Sequence, residues 1–337
     1  MPQEIERQYK EIMRQYVMRQ TEQNLYAGQN FSRQLIQKNI APEDVISIHK
    51  AALEEMQPEL PVNVWHSFDL LIEMMIRYGL ALKEHQSLLQ RQEEMKVEMD
   101  LAANVQKTLL KTTVPTINEL EIGMISVPAR QMNGDYIYFL SDNSEYAGVA
   151  VADVIGKGIP AALCMSMVKY GMDSLQDSHT DPAIVLDVIN RIVEKSVDDD
   201  MFISMFYGRY NVTNSVFTYA SAGHEPALFF DSATETFSEL HAKGLLLGVV
   251  PNVTYNQHDI TLKTGDLVVM MTDGVTECRT EEGFIEQDII LSLISSLRDK
   301  PAQVIVDTVY KELEKMQDFE LRDDFTLVIY KKTDSNV

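Results

Sequence analysis

The chain has 337 residues, of which 45% are hydrophobic and 24% are charged, and this composition suits folded domains with their own cores. Its formal net charge is −22, and residues 1–83 carry 9 Lys/Arg against 11 Asp/Glu, so nearly all the excess negative charge lies further along. We expect no nucleic-acid partner, because phosphate contacts need clustered Lys and Arg.

Membrane insertion and secretion are not expected either. No apolar run approaches the roughly 20 residues of a membrane-spanning helix, and the N-terminal stretch MPQEIERQYK lacks the apolar part of a signal peptide. The two cysteines, Cys164 and Cys278, form no disulfide framework and suit a reducing compartment. We therefore expect a cytoplasmic protein without a membrane partner.

Residues 1–83 are predicted to form a small all-α bundle. Apolar residues recur at helical spacing near the N-terminus, a second helical segment covers 27–38, and Pro42 with the acids that follow it is a helix-start signal. Further along, the spacing between successive apolar residues alternates between three and four. This spacing predicts a seam against another helix of the same or a second subunit. This seam consists of Trp65, Phe68, Ile72, Met75, Gly79 and Leu82.

Residues 84–113 are predicted to be a helical linker rather than a flexible one. The stretch contains neither Gly nor Pro, its apolar stripe is broken and weak, and Pro115 ends it. A stiff linker can transmit force or rotation from the bundle to a C-terminal domain at 114–337.

The C-terminal part is predicted to be α+β, because its strand and helix patterns segregate along the sequence instead of alternating regularly. Two helical blocks, IPAALCMSMVKYGMDSL and DPAIVLDVINRIVEKSV, come before most of the strand patterns. The later predicted elements are strands near 202–210, 215–221, 226–230 and 267–272, a helix at about 301–316 and a final strand.

Four aspartates stand where apolar, β-branched runs meet turns: Asp135 in MNGDY, Asp153 in VADVIGKG, Asp273 in MTDGV and Asp323 in RDDFTLVI. Taken singly, an Asp beside Gly is more simply a turn residue. Together, four carboxylates would repel one another, and hard cations with oxygen ligands offset that cost. Because no His or Cys cluster accompanies them, the pattern favours Mg²⁺ or Mn²⁺.

The segment GKGIPAA after Asp153 permits a competing interpretation, since a Gly-x-Gly turn that opens a helix can bind phosphate on backbone N–H groups. The segment lacks the G-x-x-x-x-G-K-[ST] pattern of a nucleotide-binding loop. We therefore expect its glycines to let the backbone turn sharply beside the acid.

The ordered set GDY, ADVIGKGIPAALCMSM, SAGHEPAL, KGLLLGV, TDGVTE and RDDFTLVI, across residues 114–332, resembles the PPM family of metal-dependent Ser/Thr protein phosphatases. More narrowly, these residues resemble the bacterial SpoIIE/RsbU branch of that family. The N-terminal helices and the linker also resemble this branch. The resemblance implies a PPM-type β-sandwich flanked by helices, with two Mn²⁺ or Mg²⁺ ions at one end. It also implies phosphoester hydrolysis without a protein nucleophile.

The resemblance assigns roles to the acids by position. It implies that Asp153 bridges two metals, that the Val154 carbonyl is a further ligand, and that Asp135 acts at one metal's shell, directly or through water. Asp273 and Asp323 would complete the first metal's shell.

Three more side chains are candidates for contact with substrate. Arg130 stands where many PPM enzymes carry a phosphate-binding arginine, and Lys157 is a weaker candidate for the same task. His224, in SAGHEP, is a candidate general acid, although a structural histidine at a turn is the simpler interpretation. Asp324 is a less favoured alternative to Asp323 as a ligand.

The resemblance also implies partners. The substrate would be a phosphorylated anti-anti-sigma protein of the STAS type, and an RsbT-like activator with a kinase-type fold would bind the N-terminal domain of a homodimer. A non-catalytic switch module with a structural metal site is the alternative, against which the complete acid set argues. A nucleotide-dependent kinase-like regulator is disfavoured by the missing phosphate loop.

Overall fold

The N-terminal part of the chain is helical throughout. In the computed structural model, which describes residues 3–142, 145–156, 159–175, 181–196, 201–280 and 283–334, the chain divides into an N-terminal unit, Met1–Val97, and a C-terminal unit, Glu98–Val337. The helices are α1 (Gln3–Met18), α2 (Glu22–Gln37), α3 (Pro42–Met56) and α4 (Val62–Leu109), the last of which runs from the first unit into the second.

Local signals explain where these helices begin. Thr21 caps α2 by accepting a hydrogen bond from the backbone N–H of Asn24, and Pro42 opens α3 with acids in its first turn. The interior of the N-terminal unit is small and is built around Ile5, Phe31, Leu35 and Ile48. The expectation of an N-terminal all-α part is confirmed.

Helix α4 carries the predicted seam. Gly79 is buried there, and a Cβ at this position would lie 3.1 Å from Glu43 Oε2, so glycine lets α4 approach the start of α3 closely. Leu82 is 41% exposed and lies outside the packed part of the seam. Of the predicted linker, residues 84–109 are helical and 110–113 are not. None of the described helices is both long enough and apolar enough to cross a membrane.

The C-terminal unit contains two five-stranded sheets in which every neighbouring pair is antiparallel. The first sheet has the order β1 (Leu120–Val127), β12 (Phe325–Lys332), β9 (Leu267–Met271), β6 (Ala227–Asp231), β7 (Thr236–Leu240). The second has the order β2 (Asp135–Asp142), β3 (Tyr146–Ile155), β4 (Phe202–Asn211), β5 (Val216–Ala222), β8 (His258–Thr261). A short pair, β10 (Arg279–Thr280) and β11 (Gly283–Phe284), stands apart.

The central strands of both sheets are buried on both faces. In β3, Val149 and Val151 pack between the two sheets, while Ala150 and Ala152 face α5 (Ile159–Asp173) and α6 (Pro182–Ser196). The outer face of the other sheet packs against α8 (Gln287–Ser296) and α9 (Ala302–Met316). Burial on both faces explains the continuous apolar runs in the sequence. The predicted α+β class and the PPM-type sandwich flanked by helices are confirmed.

Some elements were not predicted from the sequence. The predicted strands coincide with β4, β5, β6 and β9, and the late helix coincides with α9. Strands β7 and β8 are short, largely exposed edge strands without an apolar alternation, and helix α8 has only 10 residues. Short elements carry too few periodic positions for a sequence pattern to identify them.

Candidate metal centre

Two of the predicted acids lie opposite one another in the second sheet. Asp135, the first residue of β2, pairs in register with Asp153 near the end of β3. Just beside this pair, the backbone N–H of Val154 donates to the Gly134 carbonyl at 3.2 Å. A slip of one residue would turn every side chain of β3 to the opposite layer, so the packing of both layers holds this register. Both carboxylates therefore stand at the same end of the sandwich.

The other two acids come from the first sheet. Asp273 follows β9 as the first residue of the short helix α7 (Asp273–Thr276), and Asp323 lies just before β12, which pairs with β9. A Cβ on Gly274 would come within 1.9 Å of the Asp324 carbonyl oxygen, so only glycine lets this turn pack on the Asp323–Asp324 segment. The turn that carries Asp273 is therefore a neighbour of the Asp323–Asp324 segment.

The two sheets meet at Gly134. A Cβ on this residue would lie 3.2 Å from Asp324 Oδ2, 3.5 Å from Asp153 Oδ1 and 3.9 Å from the Val154 carbonyl oxygen. Oxygen atoms from both sheets therefore surround a position that any side chain larger than glycine would fill.

Asp135 is the most deeply buried of these acids, with 3% of its surface exposed. Burial raises the pKa of its carboxyl well above the ordinary value, and the negative charges of Asp153 and Asp324 raise it further, while hydrogen bonds from Thr272 and Thr326 act in the opposite direction. Thr272 Oγ1 donates to Asp135 Oδ2 at 2.7 Å. A nearby divalent cation would favour the charged carboxylate.

The two threonines were not among the predicted site residues. Thr272 directly precedes Asp273 in MTDGV, and Thr326 lies three residues after Asp323 in RDDFTLVI. This proximity in the sequence is the signal that could have identified them. Their hydroxyls reach Asp135 because β9 and β12 place them opposite β2 across the sandwich.

Asp324 has a different role from its neighbour. Its two carboxylate oxygens accept hydrogen bonds from the backbone N–H groups of Ala129, at 2.8 Å, and Gly134, at 2.5 Å. Asp323 Oδ1 accepts from the Asp324 N–H at 3.0 Å, and Asp323 lines the adjoining cavity. Asp324 therefore ties down the loop that precedes β2, which makes it a less suitable metal ligand than Asp323.

A cavity of about 490 Å³ adjoins these acids. Asp153, Asp323 and the backbone of Val154 contribute to its wall together with two arginines, Arg130 and Arg322. Arg322 was not predicted, because an arginine beside two aspartates resembles an ordinary solvated charge. A wall that carries both guanidinium groups and acids suits a phosphate group accompanied by cations.

Not every predicted residue lines this cavity. Asp135 and Asp273 are not among the described residues that line it, and Lys157 lies outside the described residues. Gly156, in the GKG segment, has φ +148°, a conformation that favours glycine, so the chain turns there beside Asp153 as expected.

His224 is half-buried and does not contribute to the described cavity wall. Its Nδ1 atom lies 2.8 Å from Ser204 Oγ, and Ser204 pairs with Asp153 across β3 and β4. Burial lowers the pKa of His224 to about 4, although its interaction with the Met271 carbonyl opposes the shift. This placement matches the structural interpretation of the histidine better than the acid–base one.

The donors at this end of the sandwich fit a hard divalent cation in kind. They are carboxylate oxygens and one carbonyl oxygen, the ligands that Mg²⁺ and Mn²⁺ prefer. Within the described ranges, no three Asp, Glu, His or Cys side chains are already close enough to enclose an ion. The described side-chain positions therefore supply the donors without a finished coordination shell.

Comparisons with known proteins show the family to which the chain belongs. The family described as Stage II sporulation protein E (SpoIIE) matches residues 143–333, and the family described as the N-terminal domain of phosphoserine phosphatase RsbU matches residues 7–81. The chain is 51% identical over 328 residues to phosphoserine phosphatase RsbU of Bacillus subtilis, which covers 97% of this chain and 98% of that protein.

Solved structures share the fold at low sequence identity. The PP2C domain of SiaA from Pseudomonas aeruginosa superposes with a TM-score of 0.61 at 19% identity, covering 72% of this chain and 99% of that one. The RsbU and RsbW domains of a Mycobacterium tuberculosis protein give a TM-score of 0.59 at 19% identity, covering 68% and 63%. These two likenesses concern the fold alone.

Proposed function

This chain belongs to the RsbU family of phosphoserine phosphatases, and we propose that it removes phosphate from a phosphorylated anti-anti-sigma protein of the STAS type with the help of two divalent cations. That it is a protein-serine/threonine phosphatase follows from the family itself.

The observation that carries the proposal is the meeting of two sheets at Gly134. Oxygen atoms of Asp153, Asp324 and Val154 lie within 3.9 Å of the position that a Cβ on Gly134 would occupy. Such a concentration of negative charge is unfavourable without cations. In this proposal Asp135, Asp153, Asp273, Asp323 and the Val154 carbonyl hold two ions, Mn²⁺ or Mg²⁺. Bound there, the ions would acidify a water molecule and neutralise charge on the phosphoryl group.

The chain's own residues complete the site. Arg130 and Arg322 line the cavity and orient the phosphate, because guanidinium groups match its oxygens in a bidentate geometry. Asp324 holds the Ala129–Gly134 loop, so that Asp135 and Arg130 keep their positions. His224 takes no part in proton transfer and supports Ser204, the strand partner of Asp153.

Regulation is assigned to the N-terminal helices. We infer that they form a homodimer and bind an RsbT-like activator with a kinase-type fold, and that residues 84–113 carry this event to the phosphatase. The match of residues 7–81 to the RsbU N-terminal family supports this, as do exposed apolar side chains on α2 and α4 such as Leu25, Tyr26, Leu70 and Tyr78. A sigma-factor regulator of this kind acts in the cytoplasm.

The test uses the full chain with a phosphorylated STAS-type protein and with an aryl phosphate. We expect Mn²⁺ or Mg²⁺ to support hydrolysis of both, and dialysis against EDTA to abolish it until metal is restored. Activity that persists unchanged after EDTA dialysis would exclude the metal mechanism. Hydrolysis of the aryl phosphate without hydrolysis of the STAS protein would exclude the proposed substrate alone.

A further inference from the structure

The last turns of α4 contain a buried glutamine whose partner is backbone next to the metal centre. Gln106 is 5% exposed, and its Nε2 donates to the Asn133 carbonyl at 2.7 Å, while its Oε1 accepts from the Asn133 N–H at 3.1 Å. One side-chain amide thus satisfies both backbone groups of a residue that belongs to no strand.

Asn133 passes this restraint on to Asp135. Its Oδ1 accepts from the backbone N–H of Asp135 at 3.0 Å, and its Nδ2 donates to Ser126 Oγ at 2.8 Å. Backbone and side chain of Asn133 are therefore both held, the first by α4 and the second by β1 and β2.

The network closes on the Asp135 carboxylate. Ser126 Oγ and Thr326 Oγ1 lie 3.2 Å apart, within hydrogen-bond distance, and Thr326 in turn hydrogen-bonds Asp135. A chain of polar contacts thus leads from α4 through Asn133 to both the backbone and the side chain of the acid. Partly satisfied buried networks are costly, so removing one member is felt by the others.

We propose that Gln106 is a positioning residue for the metal centre, which acts by holding the Asn133–Gly134–Asp135 backbone in the conformation that binds the ion. This rests on the proposed metal-dependent function. Gln106 belongs neither to the set of acids nor to the described cavity wall, so its effect passes through the loop.

The same chain contains a control with the same hydrogen-bond geometry, although its side chain is exposed where Gln106 is buried. Gln303, on α9, makes the same two-point contact with the backbone of Met124 in β1: its Nε2 donates to the Met124 carbonyl, and its Oε1 accepts from the Met124 N–H, both at 3.0 Å. This second clamp ties a helix to a strand without contacting the loop before Asp135. If an amide clamp only fastens its helix, neither substitution should change Mn²⁺ affinity.

The experiment compares Gln106→Met with Gln303→Met in the full chain, since Met keeps the length and helix propensity of Gln and removes both hydrogen bonds. We expect Gln106→Met to weaken Mn²⁺ affinity, measured by calorimetry, by about ten- to a hundredfold, the range for groups that orient metal ligands. Gln303→Met should bind Mn²⁺ as the wild type does. Equal affinities in all three proteins would overturn the proposal.

A second measurement does not depend on metal. In the metal-free protein, amide hydrogen exchange of the peptide containing residues 131–135 should accelerate in Gln106→Met and stay unchanged in Gln303→Met. Unchanged exchange in Gln106→Met would overturn the proposal. If wild-type protein bound no Mn²⁺, the proposed metal function would fail, while the exchange result would still decide whether Gln106 holds the loop.

A third variant covers the case in which Gln106→Met does not fold. Gln106→Glu keeps the acceptor for the Asn133 N–H and loses the donor to the Asn133 carbonyl, so exchange in this loop should rise by a smaller amount. Wild-type exchange and wild-type Mn²⁺ affinity in Gln106→Glu would count against the proposal.

Discussion

The two units of this chain are incomplete in different ways. The C-terminal unit buries three extensive apolar clusters, but it carries 18 Lys/Arg against 37 Asp/Glu and gathers acids at one end of its sandwich. The N-terminal unit carries 11 Lys/Arg against 14 Asp/Glu, and its cluster has four buried members. Roughly half of the exposed large apolar side chains among the described residues lie in that smaller unit.

This difference indicates what each unit needs from outside. A well-packed unit with crowded carboxylates lacks positive charge, which divalent cations can supply. The N-terminal helical unit has nearly balanced charge and exposes apolar side chains, which a protein partner can bury. The proposed metals would thus neutralise charge in the C-terminal unit, and the proposed partners would bury apolar side chains of the N-terminal unit.

The largest effect is expected from removing a ligand charge. Asp153→Asn or Asp273→Asn should lower phosphatase activity at least about a hundredfold, because even residues that only orient ligands cost about ten- to a hundredfold. The fold should persist, as judged by thermal unfolding of the metal-free protein. Asp299→Asn, an exposed acid before α9, is the control and should keep wild-type activity. Activity of both site variants within about threefold of wild type would contradict the ligand assignment.

Core truncation compares the packing of the two units. Leu327→Ala, at a fully buried position in β12, should cost about 4 kcal/mol of unfolding free energy, whereas Leu35→Ala in the small N-terminal cluster should cost about 2 kcal/mol. Denaturant unfolding of the full chain, followed by signals from each unit, measures both. Leu101→Ala, at a position 65% exposed, is the control. Equal costs at the two core positions would remove the packing contrast.

Acid sensitivity should come partly from the sandwich interior. The folded-state pKa of His224, about 4, is lower than its usual 6.5, so the stability that neutral His224 contributes is present above pH 6.5 and is lost as the pH falls toward 4. His224→Asn should therefore remove up to about 3 kcal/mol of the stability loss over that range.

Urea unfolding at neutral and acidic pH measures this effect, with the exposed His241→Asn as control. Asn can still hydrogen-bond Ser204 from the position of Nδ1. Identical pH dependence in wild type and His224→Asn would show that this imidazole is not the acid-sensitive group.

The link between the units can be interrupted without altering either core. Two Gly residues inserted near Met99–Leu101 should destabilise α4 by about 1 kcal/mol each and change the helical phase after the insertion. An activator should still bind residues 1–83, but stimulation of phosphatase activity should be lost. Full stimulation in the insertion variant would mean that the linker is only a tether.

The smallest effect is expected at the exposed face of the N-terminal unit. Met74 and Tyr78, one turn apart on α4, are 56% and 59% exposed, and replacing both with Ser should weaken self-association at least about tenfold. Sedimentation velocity over a dilution series measures the dissociation constant. A monomeric wild type at every concentration would contradict the proposed homodimer.

The sequence alone determined the class of the fold and predicted the end of the sandwich at which acids gather. Apolar runs buried on both faces, such as GVAVADV and DLVVMMTDG, identify strands because burial on two sides demands continuous apolar residues, and an acid at the end of each run identifies a strand-end site. The GKG segment was interpretable as a sharp turn beside Asp153, and Gly156 has a φ of +148° there. The short edge strands β7 and β8 lacked such a pattern.

Only the tertiary structure decided which partners each site residue contacts. Asp323 and Asp324 are equivalent as a pattern, but two backbone N–H groups of a distant loop take up the oxygens of Asp324. His224 lies 2.8 Å from Ser204, and Gln106 hydrogen-bonds Asn133, 27 residues away, with no local signal in either segment. The physical reason is that hydrogen-bond partners and burial depend on which strands and helices pair, whereas apolar patterning depends only on the residues themselves.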